Sequence, residues 1–226
     1  MKEYPKPLTK ECIHKIFEQM NNFFYRINEN DEKFDIGFFC FIKYLQSNIL
    51  ALIIINNKKS KKEYINFIDI SNNNEIKKIK VGDTKFIDKK NNLAIIEIKD
   101  YQDFNLNFTE LDDKICESES EMYYQGESIY IFKHNDLKSI LVSFWNITNR
   151  DHSEITYSGN INSESEGSPI FNSFNNKLIG IDKTKDHNYY NKGLFLKLSI
   201  KEFIYRYQYR NKINLKNETK IILKMK

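Results

Sequence analysis

The side chains with which this 226-residue chain can do acid–base, nucleophilic or metal chemistry are four histidines, three cysteines and a large supply of carboxylates. His14, His134, His152 and His187 read as surface or loop histidines. Cys12, Cys40 and Cys116 are odd in number and lack Cys-x-x-Cys or Cys/His ligand spacing, so neither disulfides nor a zinc site is expected. Each cysteine reads as a small buried hydrophobe or a free thiol. No pair of Asp or Glu has a spacing that singles out glycosidase or metal chemistry, and Gly180 to Lys185 lacks the Gly-x-x-x-x-Gly-Lys-[Ser/Thr] run of a phosphate-binding loop. No metal and no cofactor is expected. What remains is Glu166-Gly167-Ser168-Pro169, a turn leading into Ile170-Phe171, followed by Asn176-Lys177-Leu178-Ile179-Gly180-Ile181.

These last two stretches resemble the nucleophile loop and next strand of trypsin-like serine proteases, where Gly-x-Ser-Gly-[Gly/Ser]-Pro precedes an apolar strand. The nucleophile position here holds Glu166, a carboxylate with no proton to lose at neutral pH, so no neighbouring base can prime it. Gly37 to Ile42, then Ile49 to Ile55 and Asn56-Asn57-Lys58-Lys59, resemble the family's run into its catalytic histidine, and Lys58 occupies that position. Asn92-Leu93-Ala94-Ile95-Ile96-Glu97-Ile98 resembles the strand that opens on the orienting aspartate, with Asn92 in its place. The order histidine-like, aspartate-like, serine-like is that of the chymotrypsin fold and not of subtilisin or the α/β-hydrolases. Lys192 to Leu198 resembles the last barrel strand and Ser199 to Tyr205 the closing helix, so the resemblance spans about Asp35 to Phe203. It implies an all-β fold of two six-stranded antiparallel barrels, flanked by an N-terminal and a C-terminal helix.

The replacements remove the chemistry of the triad. A solvated Lys58 stays protonated, with an ordinary pKa near ~10.4, and cannot accept a proton around pH 7 as histidine does. Asn92 keeps hydrogen-bonding capacity without charge, a change that costs a working triad about 10⁴ in turnover. Glu166 puts negative charge where acyl transfer must stabilise an oxyanion. Glu164 stands where the family's loop has a glycine, so the oxyanion loop of Glu164, Ser165 and Gly167 is expected to be degenerate, and neither Ser165 nor Ser168 falls in the nucleophile register. Lys58 and Glu166 stand where base and nucleophile approach each other, which implies an ion pair between them. The reading that follows is an inactive protease homologue that binds a peptide or protein in the old cleft by strand addition. The resemblance places that peptide along Ile181-Asp182-Lys183, with Asn160 in the pocket wall. Two rivals stand beside it: an active divergent peptidase, and an interaction protein working through its terminal helix or basic tail.

The elements that position these residues are legible as changes of period. Thr9 to about Ile27 reads as an amphipathic helix capped by Thr9, with Ile13, Ile16, Phe17, Met20, Phe23 and Phe24 as its packing stripe. A polar break at 28–32 precedes short apolar runs from Phe34 to Ile98, Tyr101 to Gln125 reads as the connection between barrels, and Ser128 opens a second series of strands. The acidic run Glu117 to Glu121 is expected in an exposed loop. No internal repeat is visible. The expected organisation is a helical extension over 1–30, the first barrel and connection over 31–118, the second barrel over 119–200, and a helix with a basic tail over 201–226. Seven Gly and three Pro leave many turns to Asn and Asp, which tolerate left-handed backbone. A formal charge of +4 is modest, and Lys58-Lys59-Ser60-Lys61-Lys62 and the tail from Arg206 read as solvated charge, so nucleic acid is not expected as a partner without a clustered basic face. With no signal-peptide pattern, no apolar run near ~20 residues and unpaired cysteines, a cytoplasmic protein without a membrane span is expected.

Overall fold

The computed structural model describes residues 9–22, 25–30, 33–45, 47–55, 63–69, 76–102, 104, 106, 108–118, 120–134, 140–150, 153–158, 167–183 and 190–224. Six strands come first: β1 (Tyr25–Asn30), β2 (Lys33–Tyr44), β3 (Ser47–Ile55), β4 (Tyr64–Asp69), β5 (Ile76–Asp88) and β6 (Leu93–Lys99). They pair antiparallel as β1 with β2 and β4, β2 with β3, β3 with β6, β6 with β5 and β5 with β4, so the ring closes. A short β7 (Thr109–Glu110) lies parallel to Cys40 and Phe41 of β2. The second closed barrel is built from β8 (Ser128–His134), β9 (Ile140–Arg150), β10 (Glu154–Ser158), β11 (Pro169–Asn172), β12 (Leu178–Asp182) and β13 (Tyr190–Phe195). Its first strand pairs with its second and fourth, its third with its sixth, and its fifth with its fourth and sixth, the same order as in the first barrel.

Strand alternation explains why β2, β3 and β6 read as nearly continuous apolar runs. Successive side chains of a strand point to opposite faces. Phe39, Leu50, Leu52, Ile54, Ala94, Ile96 and Ile98 fill the first barrel together with Ile27, Phe67 and Ile79. Their neighbours Phe38, Cys40, Ile42, Ile49, Ala51, Ile53, Leu93 and Ile95 join one cluster with Ile131, Phe171, Ile181 and Phe195 of the second barrel. These three strands are therefore buried on both faces, one face inside their own barrel and the other against its partner. The connection adds a polar tie between the two: Asp113 takes ion pairs from Lys43 of β2 and Lys177 ahead of β12, and Lys177 also reaches Glu110 at 3.2 Å.

The described residues also form three α-helices, α1 (Lys10–Asn22), α2 (Ser120–Tyr124) and α3 (Lys197–Lys224). Thr9 caps α1, its hydroxyl accepting the Cys12 N–H at 3.1 Å. The helix stops at Asn22, however, and Ile27 lies in β1 with its side chain inside the first barrel. Its packing stripe is also narrower than the apolar spacing suggests. Ile16 is buried, whereas Ile13 and Phe17 are 40 % and 59 % exposed; the side chains of Met20, Phe23 and Phe24 lie outside the described residues. The acidic run is not all loop either, because Ser120 starts α2, is fully buried and donates its hydroxyl to the Ile115 carbonyl. The described turns bear out the role given to Asn and Asp, with left-handed backbone at Asn92, Asp100 and Asn176, alongside Leu45.

α3 leaves the second barrel at Phe195 and crosses β5 of the first. Ile200 and Phe203 are buried, the Tyr207 ring meets Tyr44 edge-on at 5.5 Å, and the Arg206 guanidinium lies over Phe86. Arg210 donates to the Asp83 carbonyl at 2.7 Å, within the irregularity in the β5–β6 pairing, and Arg206 to that of Lys85, at its end. Arg210→Ala removes one such bond at the surface. It is expected to lower stability by about 0.5–1 kcal/mol, read as a shift of about 1–4 °C in a thermal melt.

Candidate functional site

The register of the first barrel brings two of the three triad-like segments to one edge. The last residue of β3, Ile55, pairs with Leu93, the first of β6. β3 therefore ends beside the point where Asn92 enters β6. Asn92 is exposed, with φ 51°, at the end of the turn over 89–92. The turn is held by Asp88, whose carboxylate accepts the N–H groups of Lys90 at 3.0 Å and Asn91 at 3.2 Å and the Asn91 side-chain amide at 2.6 Å. An uncharged amide on a solvated turn cannot stabilise a cation in a dry site.

The third segment is anchored from the second barrel. Gly167 is buried with φ 88°, a conformation in which a Cβ is strained, and this explains the glycine at the entry to β11. Its N–H donates to the Asp182 carbonyl at 3.0 Å, and the Asp182 N–H donates to the Ser168 carbonyl at 2.7 Å. The end of β12 thus clasps the start of β11 through both of its backbone groups. Ser168 is itself only 4 % exposed. Glu166, Glu164, Ser165, Asn160 and Lys58 lie outside the described residues, as does the ion pair expected between Lys58 and Glu166.

Of the residues expected along a bound peptide, Ile181 and Asp182 are paired on both sides, Ile181 with Pro169 and Leu194, Asp182 with Gly193. Their side chains are 1 % and 3 % exposed. Lys183 is half-buried, donates its N–H to the Lys192 carbonyl, and reaches Glu154 with its ammonium at 3.4 Å. Ile181 and Asp182 therefore offer no open edge to an added strand.

Directly behind this loop lies a feature that pattern reading passed over. The buried Tyr157 hydroxyl of β10 donates to the buried Asp182 carboxylate. Burial, and then the Asp182 charge, push the Tyr157 phenol far above its ordinary value, so it remains the donor. The available signal was a lone carboxylate inside the apolar run Leu178–Asp182. A second unforeseen feature is an open groove of about 400 Å³ at the other end of the β11–β12 hairpin, lined by Lys15, Glu18, Phe108, Glu110, Asn175 and Lys177.

The three cysteines are free thiols, Cys12 and Cys40 buried and Cys116 partly so. Burial pushes all three thiols up, which suits structural roles. Among the described residues, no group of three or more His, Cys, Asp or Glu is placed to hold a metal, and no helix is long and apolar enough to cross a membrane.

No family model and no curated protein matches the sequence. Solved structures do match the fold. The serine endoprotease from Yersinia pestis superposes with a TM-score of 0.55 at 13 % identity, over 87 % of this chain and 65 % of that one. A human pathogenic astrovirus serine protease gives 0.50 at 11 % identity, over 77 % and 90 %. Deg5 gives 0.50 at 12 % identity, over 85 % and 92 %. At these identities the likeness concerns architecture, since one fold carries many activities. Two closed barrels of the same strand order, joined face to face and followed by a helix, give this chain the two-barrel fold of the chymotrypsin-like serine proteases.

Proposed function

We propose that the protein is a catalytically inactive homologue of trypsin-like serine proteases that binds an extended peptide or protein segment in the former substrate cleft. The observation that carries this reading is Asn92: the position that the sequence pattern assigns to the orienting aspartate is an exposed amide in left-handed backbone. With Lys58 and Glu166 at the other two positions, no residue is left to take a proton from a nucleophile and none to be that nucleophile. Peptide binding needs none of the three. Main-chain pairing beside Lys183 supplies affinity without a triad, and the clasp between Asp182 and Gly167-Ser168 supplies a wall. A Lys58–Glu166 ion pair closing the site belongs to the same proposal. The three free thiols suit a reducing compartment.

Two measurements test the two halves of this reading. A diverse fluorogenic peptide library is expected to show no turnover above buffer with either the native chain or Glu166→Ala; turnover that disappears in Glu166→Ala makes Glu166 catalytic and ends the inactive reading. Selection from a random-peptide display library is expected to return extended peptides that compete with one another. Their affinity is expected to fall at least tenfold, about 1.4 kcal/mol, on Glu166→Lys. A selection that returns no binders removes the peptide-binding half.

A further inference from the structure

The charge of this chain is unevenly divided. Residues 197–226 hold nine Lys or Arg against two Asp or Glu, a net +7, while the other 196 residues hold 26 against 29, a net −3. The basic segment is not a loose tail, because α3 is one continuous helix from Lys197 to Lys224. One face of that helix is committed to the barrels through Ile200, Phe203, Arg206, Tyr207 and Arg210. The opposite face carries Leu198, Tyr205 and Tyr209, seven and four residues apart and therefore in one stripe. These three are 51 %, 62 % and 61 % exposed, and the exposed Lys201 and Lys212 flank them. Beyond Lys212 the sequence repeats lysine at every fourth position, 216, 220 and 224, about 6 Å of helix rise apart. Among the described side chains, the outward side of this helix carries Lys201 and Lys212 beside Leu198, Tyr205 and Tyr209, on a segment whose net charge is +7.

We infer that the outward face of α3 binds single-stranded nucleic acid, with Tyr205 and Tyr209 as stacking platforms for unpaired bases and Lys201 and Lys212 as phosphate partners. Aromatic rings and cations on the same exposed face are what a single strand requires, since every base has a face to stack and every nucleotide a charge to neutralise. A duplex hides its base faces and gains only the charge term. An anionic membrane asks for a different helix, with an apolar stripe to bury and the cations on the polar side; here tyrosine and lysine share one stripe. The inference is independent of the cleft, and it holds whether or not the cleft binds peptide.

The test is fluorescence anisotropy of a labelled 20-nucleotide oligouridine titrated with the full chain. Binding at 50 mM salt is expected, with log K falling against log salt at a slope of about −3 if four phosphates are neutralised. The double variant Tyr205→Ala/Tyr209→Ala is expected to bind at least tenfold more weakly with an unchanged thermal melt, because both rings are exposed. Lys201→Gln/Lys212→Gln is expected to flatten the slope by about 1.4. Absence of oligouridine binding at 50 mM salt overturns the inference. So does equal binding by the tyrosine variant, tighter binding of a 20-base-pair duplex, or retention by phosphatidylserine vesicles in place of the oligonucleotide.

Discussion

Raising the pH from 9 to 11.5 is expected to unfold this protein. Tyr124, Tyr130 and Tyr157 are each no more than 1 % exposed. Burial holds all three phenols neutral far beyond their ordinary range, and the carboxylates of Asp112 near Tyr124 and Asp182 beside Tyr157 push in the same direction. In the unfolded chain the same groups lose their protons near pH ~10. Above that pH the unfolded state binds three fewer protons than the folded one, so stability is fully present below ~10 and falls as pH rises, by roughly 4 kcal/mol per pH unit. Cys40, also buried and also pushed up, starts the decline near ~8.5 with one more proton. Against a typical total of about 5–15 kcal/mol, two units of pH decide the outcome. The acid side is gentler: Asp113 and Asp83, held low by hydrogen bonds from Lys177 and Lys43 and from Lys99, lose their contribution only as pH falls below ~3.9. Both carboxylates are about half exposed, so that contribution is small. Urea midpoints taken from pH 8 to 11 check the alkaline slope. Tyr130→Phe keeps the ring stacked on Phe171 at 5.0 Å and is expected to remove one third of the tyrosine slope; a midpoint flat to pH 11 defeats the argument.

The barrels were legible because their strands repeat apolar residues at a spacing no helix uses, and the double burial of β2, β3 and β6 made those runs long enough to recognise. β1 escaped notice for the opposite reason. Its sequence, Tyr25 to Asn30, has one fully buried apolar side chain, Ile27, among polar residues, and that isoleucine continues the helical spacing of Ile13, Ile16 and Met20. Helix and strand templates both fit, and pairing with β2 and β4 decided for the strand. The equal strand order of the two barrels left no visible repeat in the sequence, because topology constrains which strands meet and not which apolar residue fills each place. The Tyr157–Asp182 pair was hidden by distance, its members lying 25 positions apart. The outward face of α3 was hidden in another way. A count of Lys and Arg says nothing of direction until one side of the helix is taken by Phe203 and Arg210.

Gly180→Ala is expected to cost at least 2–3 kcal/mol, more than any surface change in the chain. A Cβ at Gly180 would lie 2.7 Å from the Leu194 carbonyl oxygen and 2.9 Å from Ile155 Cδ1. The isoleucine tip can turn away, but the carbonyl cannot, because β13 is hydrogen-bonded to β10 on one side and β12 on the other. Overpacking against a fixed wall forces a backbone shift, commonly at 1–3 kcal/mol and sometimes more. The contrast is Gly126, whose Cβ would meet nothing within 4 Å and whose φ of 76° carries only the left-handed penalty of about 1–2 kcal/mol. The difference also has a direction in the molecule. Two residues beyond Gly180, Asp182 holds Gly167 and Ser168 through its backbone and Tyr157 through its carboxylate, so a displaced β12 pulls on the turn into β11. Urea titrations of the two variants measure the stability gap. Amide exchange at Gly167 and Asp182, expected to quicken in Gly180→Ala and to stay slow in Gly126→Ala, shows whether the strain travels along β12 into that turn; equal exchange in both variants would leave the turn mechanically separate from Gly180.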